Sequence, residues 1–178
     1  MAASVIAKST LRERHNWLIH QLYSRGDYDR CLALIEEELE ATNGLCEYAI
    51  YVKAMICRQQ GKIRESLQLF QAATCLSPRS VLNLKQVARS LHLLGRHRQA
   101  LEVLEEAARC GEGDGDWEIL HFRGVCLSRL GDLEGAVEAL MASTDLQRHE
   151  ETYLELAKAF ERSGDAESAQ ECLTEAAE

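Results

Sequence analysis

A glycine recurs along this chain at nearly constant intervals, and it is always followed by a polar or charged residue. The intervals are 35, 34, 36 and 33 residues, and the glycines are Gly26, Gly61, Gly95, Gly131 and Gly164. On both sides of each one, apolar residues recur with the spacing of an amphipathic helix. Glycine ends helices readily because it adopts the left-handed conformation at little steric cost. The chain is therefore predicted to repeat a unit of helix, tight turn and helix.

Two columns of side chains repeat in step with these glycines. Five positions after each glycine stands a small residue, and four positions further stands a bulky apolar one, as in Ala100 and Leu104. Seven positions before the glycine the residue is again small, except at Ile19. Small side chains let two helices approach, and large ones fill the space beside them. The predicted helix pairs are 11–24 with 27–41, 45–59 with 62–76, 80–93 with 96–109, 116–129 with 132–145, and 150–162 with 165–177.

The fold class follows from this pattern and from a composition that favours helices. One proline and 6% aromatic residues argue against a β-sandwich or barrel. We expect an all-α, right-handed solenoid of about five helix-turn-helix repeats in a single domain spanning 1–178. The expected repeats are 12–46, 47–80, 81–116, 117–149 and 150–178. The glycine-rich stretch 111–115 is predicted to be a loop that accommodates the longest interval.

Charge narrows the choice of partner. Residues 1–110 hold 15 basic and 12 acidic side chains, whereas residues 111–178 hold 5 and 17, and the whole chain has a formal net charge of −9. Nucleic acid is therefore not expected as a partner. Between Glu65 and Glu102 there is no acidic residue, and this basic band holds Arg79, Lys85, Arg89, Arg96 and Arg98. Two interpretations stay open: a docking site for an acidic segment, or a solvated basic face.

Catalytic, cofactor and metal sites are not expected. No nucleophile, phosphate-loop or zinc-protease motif occurs, and Cys31, Cys57, Cys126 and Cys172 fall on or beside inward-facing columns. His92 and His97 are five residues apart, which is the wrong spacing to share one helix face. The seven cysteines are predicted to be reduced thiols. No apolar run reaches the length of a signal peptide core or a membrane span. A cytoplasmic protein that is not an enzyme and does not insert into a membrane is predicted.

Stacked helical repeats present a concave surface, lined by the first helix of each repeat, on which partner segments bind. The second repeat would present Tyr48, Tyr51, Met55 and Arg58 there. The third would present Leu82, Lys85, Arg89 and His92, with Lys85 and Arg89 exposed. The fourth would present Glu118, His121, Val125 and Ser128. In the fifth repeat the same positions hold Glu151, Leu154 and Lys158. Aromatic residues beside arginine are typical of binding hot spots, but packing between repeats would explain Tyr48 and Tyr51 equally well.

Several strings carry a resemblance to known families. Ala54, Ser66, Phe70, Ala73 and Pro78 resemble the tetratricopeptide repeat (TPR) pattern, and five such repeats cover nearly the whole chain. More specific strings resemble the amino-terminal TPR region of the family of the fourth Bardet-Biedl syndrome protein. They are residues 44–53, 65–72, 76–78, 83–96, 116–119, 124–126, 148–149 and 152–153.

The second resemblance implies a non-enzymatic subunit of the BBSome, a coat-like complex that moves membrane proteins into and out of cilia with intraflagellar transport. It also implies other BBSome subunits and centriolar satellite or transport proteins as partners, and the cilium, basal body and centriolar satellites as locations. The family has many more repeats, so the chain is expected to be a fragment or a shortened form with an exposed apolar edge at Leu173.

Two other classes of TPR protein stay open. One is a co-chaperone or adaptor that clamps an acidic peptide tail. Such a clamp would use Lys85 and Arg89, but Phe122, Glu151 and Glu155 stand where its remaining polar and basic residues should be. The other is the regulatory arm of an enzyme, which would need a catalytic domain that these residues do not contain.

Overall fold

The computed structural model describes residues 15–110 and 115–177. The described residues form ten α-helices and no strand. In chain order the helices are α1 (Asn16–Ser24), α2 (Tyr28–Ala41), α3 (Glu47–Gln59), α4 (Ile63–Leu76), α5 (Val81–Leu93), α6 (His97–Cys110), α7 (Trp117–Leu130), α8 (Leu133–Leu146), α9 (Glu150–Ser163) and α10 (Ala166–Ala177). They agree with the predicted pairs to within one or two residues wherever the predicted ends are described. The first residues of the first predicted helix, and most of the predicted loop 111–115, lie outside the described residues.

The five predicted turn glycines all have a left-handed backbone, with φ between +73° and +93°. In each turn the residue after the glycine donates its backbone N–H to a carbonyl five residues earlier, as Arg96 does to Leu91 at 2.9 Å. This is the hydrogen bond that closes a glycine-terminated helix end, and a side chain at the glycine position would be strained. The predicted turn chemistry is confirmed.

Several helices begin with a side chain that caps the first turn. Asp132 accepts a hydrogen bond from the backbone N–H of Gly135 at 3.0 Å, and Ser80 accepts one from Asn83 at 3.4 Å. These side chains satisfy amide groups that a helix start leaves without partners. Helix, glycine turn and capped helix therefore follow directly from local sequence.

The chain divides into two compact units, residues 1–78 and 79–178. The described part of the first unit holds α1 to α4. One buried cluster joins α1, α2 and α3, with Tyr48 and Tyr51 packed at its edge. Its buried members are Ile19, Leu22, Cys31, Ile35, Cys46, Ala49, Val52 and Ile56. Ile19, the large residue in a small column, is completely buried here.

The second unit holds α5 to α10, and each helix packs against the next along the chain. First helices of successive repeats also touch, α5 with α7 and α7 with α9. One cluster comprises Leu84, Ala88, Leu104, Ala107 and Ile119, and another comprises Val125, Leu140, Leu156, Ala157, Ala159 and Cys172. The second unit therefore places α5, α7 and α9 side by side.

The predicted packing columns are buried. The small residues five positions after each glycine are at most 3% exposed, and the large residues that follow are at most 1% exposed except Leu173, at 37%. The cysteines assigned to packing, Cys31, Cys57, Cys126 and Cys172, are all buried as free thiols. The sequence register is therefore confirmed in both units.

Candidate functional site

The α3 candidates in the first unit form a partly buried surface. The Tyr51 ring meets the Phe70 ring edge-on at 5.5 Å between centroids, and the Arg58 guanidinium lies 5.2 Å from the centre of the same ring. Arg58 also approaches the Met55 sulfur at 3.0 Å. The Tyr48 hydroxyl lies 3.1 Å from Nδ1 of His20 on α1. Each candidate side chain has packing or polar contacts inside this unit and is partly buried rather than fully exposed.

Lys85 in the second unit is not the exposed cation that the sequence led us to expect. Its ammonium lies 2.9 Å from Asp116 Oδ2 and 2.7 Å from Glu118 Oε2, and its side chain is 14% exposed. Burial alone would lower the pKa of Lys85, but hydrogen bonds to the two carboxylates outweigh it and raise the pKa. The expectation of an exposed Lys85 is wrong because Asp116 and Glu118, at the start of α7, face it across the repeat boundary.

Arg89 is exposed, as predicted, and its guanidinium lies 5.6 Å from the centre of the Phe122 ring. Lys85 and Arg89 therefore differ, although they lie one helical turn apart. One is neutralised by two carboxylates, and the other lies over an aromatic ring. The basic band thus contributes fewer available cations to this surface than the sequence suggested.

A cavity of about 310 Å³ opens among α5, α7 and α9 of the second unit. Its apolar wall consists of Phe122, Val125 and Leu154. Two sequence candidates, His92 and His121, also line it. The remaining lining residues are charged: Arg129, Glu151, Glu155 and Lys158. The cavity therefore combines an apolar wall with charges of both signs.

The predicted groove positions supply most of this lining; of the remaining three residues, Phe122 and Glu155 were named only as mismatches to an acidic-tail clamp, and Arg129 was not named. Phe122 follows His121 directly, Arg129 lies four residues after Val125, and Glu155 lies four residues after Glu151. Residues four apart share a helix face, so the helical period carried a signal for Arg129 and Glu155. Glu155 forms an ion pair with Lys158 at 2.7 Å. One cation and one carboxylate of the lining are thus already paired.

His121 is a buried residue of the cavity lining. Its Nδ1 is 3.0 Å from the Thr152 hydroxyl, and both residues are buried. Burial lowers the pKa of His121 and outweighs the nearby carboxylates of Glu151 and Glu155, which raise it. The neutral imidazole is therefore favoured, and His121 joins α7 to α9 as a polar packing residue.

Three potential ligand residues meet beside the cavity. One ligand atom each from His92, His97 and Cys126 can be chosen so that all three lie within 4.8 Å of one another. The expectation that these spacings do not bring ligands together is wrong here. His92 and His97 do not share a helix; the Gly95 turn between α5 and α6 brings their rings to 5.1 Å between centroids. The packing of α7 against α5 and α6 brings Cys126 to the two histidines.

The repeats of this chain are similar to those of known proteins. Two tetratricopeptide repeat family models match residues 88–147 and 150–178. Among solved structures, MamA from Desulfovibrio magneticus RS-1 is similar, with a TM-score of 0.80 and 17% identity over 94% of this chain and 93% of MamA. YrrB, described as a TPR protein with an unusual peptide-binding site, has a TM-score of 0.70 and 22% identity over 89% of this chain and 80% of YrrB. The expected all-α TPR solenoid is confirmed as the fold class.

Some curated relatives have a higher sequence identity to this chain than these solved structures have. BBSome complex member BBS4 of Xenopus tropicalis is 50% identical over 164 residues, which is 92% of this chain and 31% of the relative. The mouse protein of that name is 49% identical over 166 residues, 93% of this chain and 32% of the relative. The Drosophila melanogaster homolog is 34% identical over 142 residues, 80% of this chain and 28% of the relative.

Among the described helices, none is both long and apolar enough to cross a bilayer. The chain spans about a third of the length of the vertebrate relatives that it matches. The chain thus belongs to the tetratricopeptide repeat family and, over 92% of its own length, is a sequence relative of BBSome complex member BBS4.

Proposed function

We propose that this chain is a non-catalytic scaffold subunit of a BBSome and that it binds partner subunits through the cavity among α5, α7 and α9. The observation that carries the proposal is its 50% identity to a BBSome complex member over 92% of the chain. Because the chain spans about a third of that relative, membership of the complex is itself part of the proposal. The role we assign is ciliary: transport of membrane proteins and assembly of the cilium.

The partners we assign are other BBSome subunits, with centriolar satellite and transport proteins as further candidates. The locations that go with this role are the cytoplasm, the cilium, the basal body and centriolar satellites. The α3 surface of Tyr48, Tyr51, Met55 and Arg58 is a second candidate contact. Its rings and guanidinium combine the residue types that dominate binding hot spots.

The chemistry of the cavity supports a protein segment with one apolar anchor and neighbours of both charges. Phe122, Val125 and Leu154 would surround the anchor, and burial of an apolar side chain supplies most of the affinity at such a site. Arg129 and Glu151 on the rim would select the partner's charges. A purely acidic tail, as in the co-chaperone alternative, would gain little here, because Glu151 and Glu155 offset Arg129 and Lys158 in the lining and Lys85 is held by its own carboxylates.

The test is the composition of complexes that co-purify with the tagged chain from ciliated cells. BBSome subunits should be recovered with the wild-type chain. Leu154→Arg should reduce their recovery by about tenfold or more, because a charge would replace the apolar wall of the cavity. Leu146→Arg is the matched control, since Leu146 is an exposed leucine of the same unit outside the cavity lining.

The two possible failures have different meanings. Absence of BBSome subunits from the wild-type sample would reject the assigned complex. Equal recovery with both leucine variants would keep the complex and reject the cavity as its contact. A thermal melt of each variant ensures that a loss of recovery reflects binding and not unfolding.

A further inference from the structure

The cluster of His92, His97 and Cys126 lies beside the proposed partner contact and shares only His92 with the cavity lining. Nδ1 of His92 lies 3.8 Å from the Cys126 sulfur, which is close to a metal-binding separation. In a tetrahedral zinc site with bonds of about 2.1 Å to nitrogen and 2.3 Å to sulfur, these two atoms would be about 3.6 Å apart. One ring nitrogen of His97 lies within 4.8 Å of the Cys126 sulfur and of a ring nitrogen of His92.

The polar atoms of the cluster are also available. Nδ1 of His97 is buried and has no hydrogen-bond partner among the described residues. A buried nitrogen without a partner is costly, and a metal ion is one way to satisfy it. The Cys126 sulfur is buried and not part of a disulfide, and within residues 15–110 and 115–177 its polar contact is the weak one with His92. Neither atom is committed to a strong interaction that a metal would have to break.

The protonation state of His92 already suits a metal ion, whereas Cys126 must lose a proton when it binds one. Burial, followed by the neighbouring His97 and Arg129, lowers the pKa of His92 and so favours the neutral imidazole that binds metals. Burial raises the pKa of Cys126 to about 11, so the metal-free residue is a thiol. On binding, the thiol would lose its proton to solvent as the metal–sulfur bond forms, which is usual for a coordinating cysteine.

Two of the three residues of the cluster line surface cavities. His92 lines the cavity of about 310 Å³ described above. His97 lines a second surface pocket of about 420 Å³, formed by residues 95–99 and Leu130. The Cys126 sulfur and Nδ1 of His97 are buried, so a bound ion would lie beneath the surface between these two cavities.

We propose that His92, His97 and Cys126 form a binding site for one Zn²⁺ ion, which ties the α5–α6 turn to α7. Two imidazoles and one thiolate are a ligand set that zinc favours, whereas Mg²⁺ and Ca²⁺ require oxygen ligands. Three protein ligands leave the fourth position of a tetrahedral ion for water or for a side chain of a partner. The ion would join two successive repeats, because His92 and His97 flank one turn and Cys126 belongs to the next pair of helices.

The experiment measures Zn²⁺ binding to the full chain after removal of metals with a chelator. We expect one high-affinity ion per chain in a chelator-competition titration, together with a rise in melting temperature as Zn²⁺ is added. Bound Co²⁺ should show the absorption of a tetrahedral ion with a thiolate ligand. His97→Gln and Cys126→Ser should each weaken Zn²⁺ binding by more than the roughly 10–100-fold that loss of a ligand's outer partner costs. Cys75→Ser and His20→Gln are the controls, since both residues are exposed and outside the cluster.

Two results would contradict the proposed zinc site. Zn²⁺ binding that is unchanged in His97→Gln and Cys126→Ser would overturn the site, as would no stoichiometric Zn²⁺ in the wild-type chain. If Cys126→Ser fails to fold, His97→Gln carries the test, because His97 is only partly buried at the first position of α6. Zinc binding is measured without partners, so its failure leaves the proposed scaffold function untouched.

Discussion

A Cβ atom placed on Gly124 would lie 2.5 Å from Cγ of Leu140, so α7 and α8 meet where only a glycine fits. Leu140 is completely buried and belongs to the column of large residues. The same Cβ would lie 3.0 Å from the backbone oxygen of Ala136. Backbone does not move aside as easily as the end of a flexible side chain, so the close approach is a fixed feature of this helix pair.

Gly124→Ala is therefore expected to destabilise the chain. Overpacking of a tight contact costs about 1–3 kcal/mol, and alanine recovers up to about 1 kcal/mol through its better helix propensity. The measurement is the free energy of unfolding in urea, with Arg123→Ala, an exposed neighbour on α7, as control. A Gly124→Ala chain as stable as the control would show that α7 and α8 do not approach this closely.

Removal of the Lys85 ammonium should also destabilise the chain. In Lys85→Met the carboxylates of Asp116 and Glu118 would be left side by side without their cation. The expected loss is about 1–3 kcal/mol, between that of an exposed pair and that of a fully buried one. Lys158→Met is the control, because the Lys158 side chain is 57% exposed and its pair with Glu155 lies on one helix. Its expected loss is about 0–1 kcal/mol.

If the two lysine variants unfold at the same urea concentration, Lys85 is not held between α5 and α7 in solution. The comparison also separates two interpretations of the basic band. A cation needed mainly for stability lowers the urea midpoint when it is removed. If the cation serves mainly to bind an acidic partner, its removal leaves the urea midpoint unchanged.

Stability should fall as the pH drops below about 6.5 because of His121. Burial holds the pKa of His121 below its ordinary value in the folded chain, whereas unfolding restores a pKa of about 6.5. The unfolded state then binds the proton first, so this contribution is complete above about pH 6.5 and is lost toward lower pH. The slope for one histidine is at most about 1.4 kcal/mol per pH unit. The neighbouring groups that also act on its pKa are Glu151, Glu155, His149 and Glu118.

The test is the free energy of unfolding between pH 7.5 and pH 5 for the wild-type chain and for His121→Gln. Glutamine keeps a hydrogen-bonding group for Thr152 but cannot titrate, so the variant should show a shallower pH dependence. His92 contributes with the same sign, since burial first and then His97 and Arg129 lower its pKa, so part of the dependence remains. An unchanged slope in His121→Gln, equal to that in the exposed control His20→Gln, would contradict the buried neutral imidazole.

The helix pairs and packing columns could be predicted from the sequence because they depend on short spacings. Gly95 fixes its turn through its own backbone, and Ala100 and Leu104 follow at constant distances on the next helix. The repeat then places each later column on the same face. Even Ile19, which breaks the small column, is buried where the pattern puts it.

The candidate site was only partly predictable, since its decisive contacts join residues about one repeat apart. Lys85 and Asp116 are 31 residues apart, and so are His121 and Thr152. A spacing rule for one helix face contains no information about such pairs. The five-residue interval between His92 and His97 was misleading for another reason. The Gly95 turn lies inside this interval, so the rule for one helix face does not apply to the pair. Lys85 was predicted to be exposed because charged residues usually are, but two acids at the next helix start hold it.

The central claim, that a BBSome subunit binds in the cavity among α5, α7 and α9, is tested most directly by site-specific photocrosslinking in ciliated cells. A photoreactive amino acid replaces Leu154 in the cavity wall or, as control, Glu138, which is exposed on α8 outside the cavity lining. We predict that the probe at position 154 captures a BBSome subunit and that the probe at position 138 does not. Capture of no BBSome subunit from position 154, or equal capture from both positions, would contradict the account.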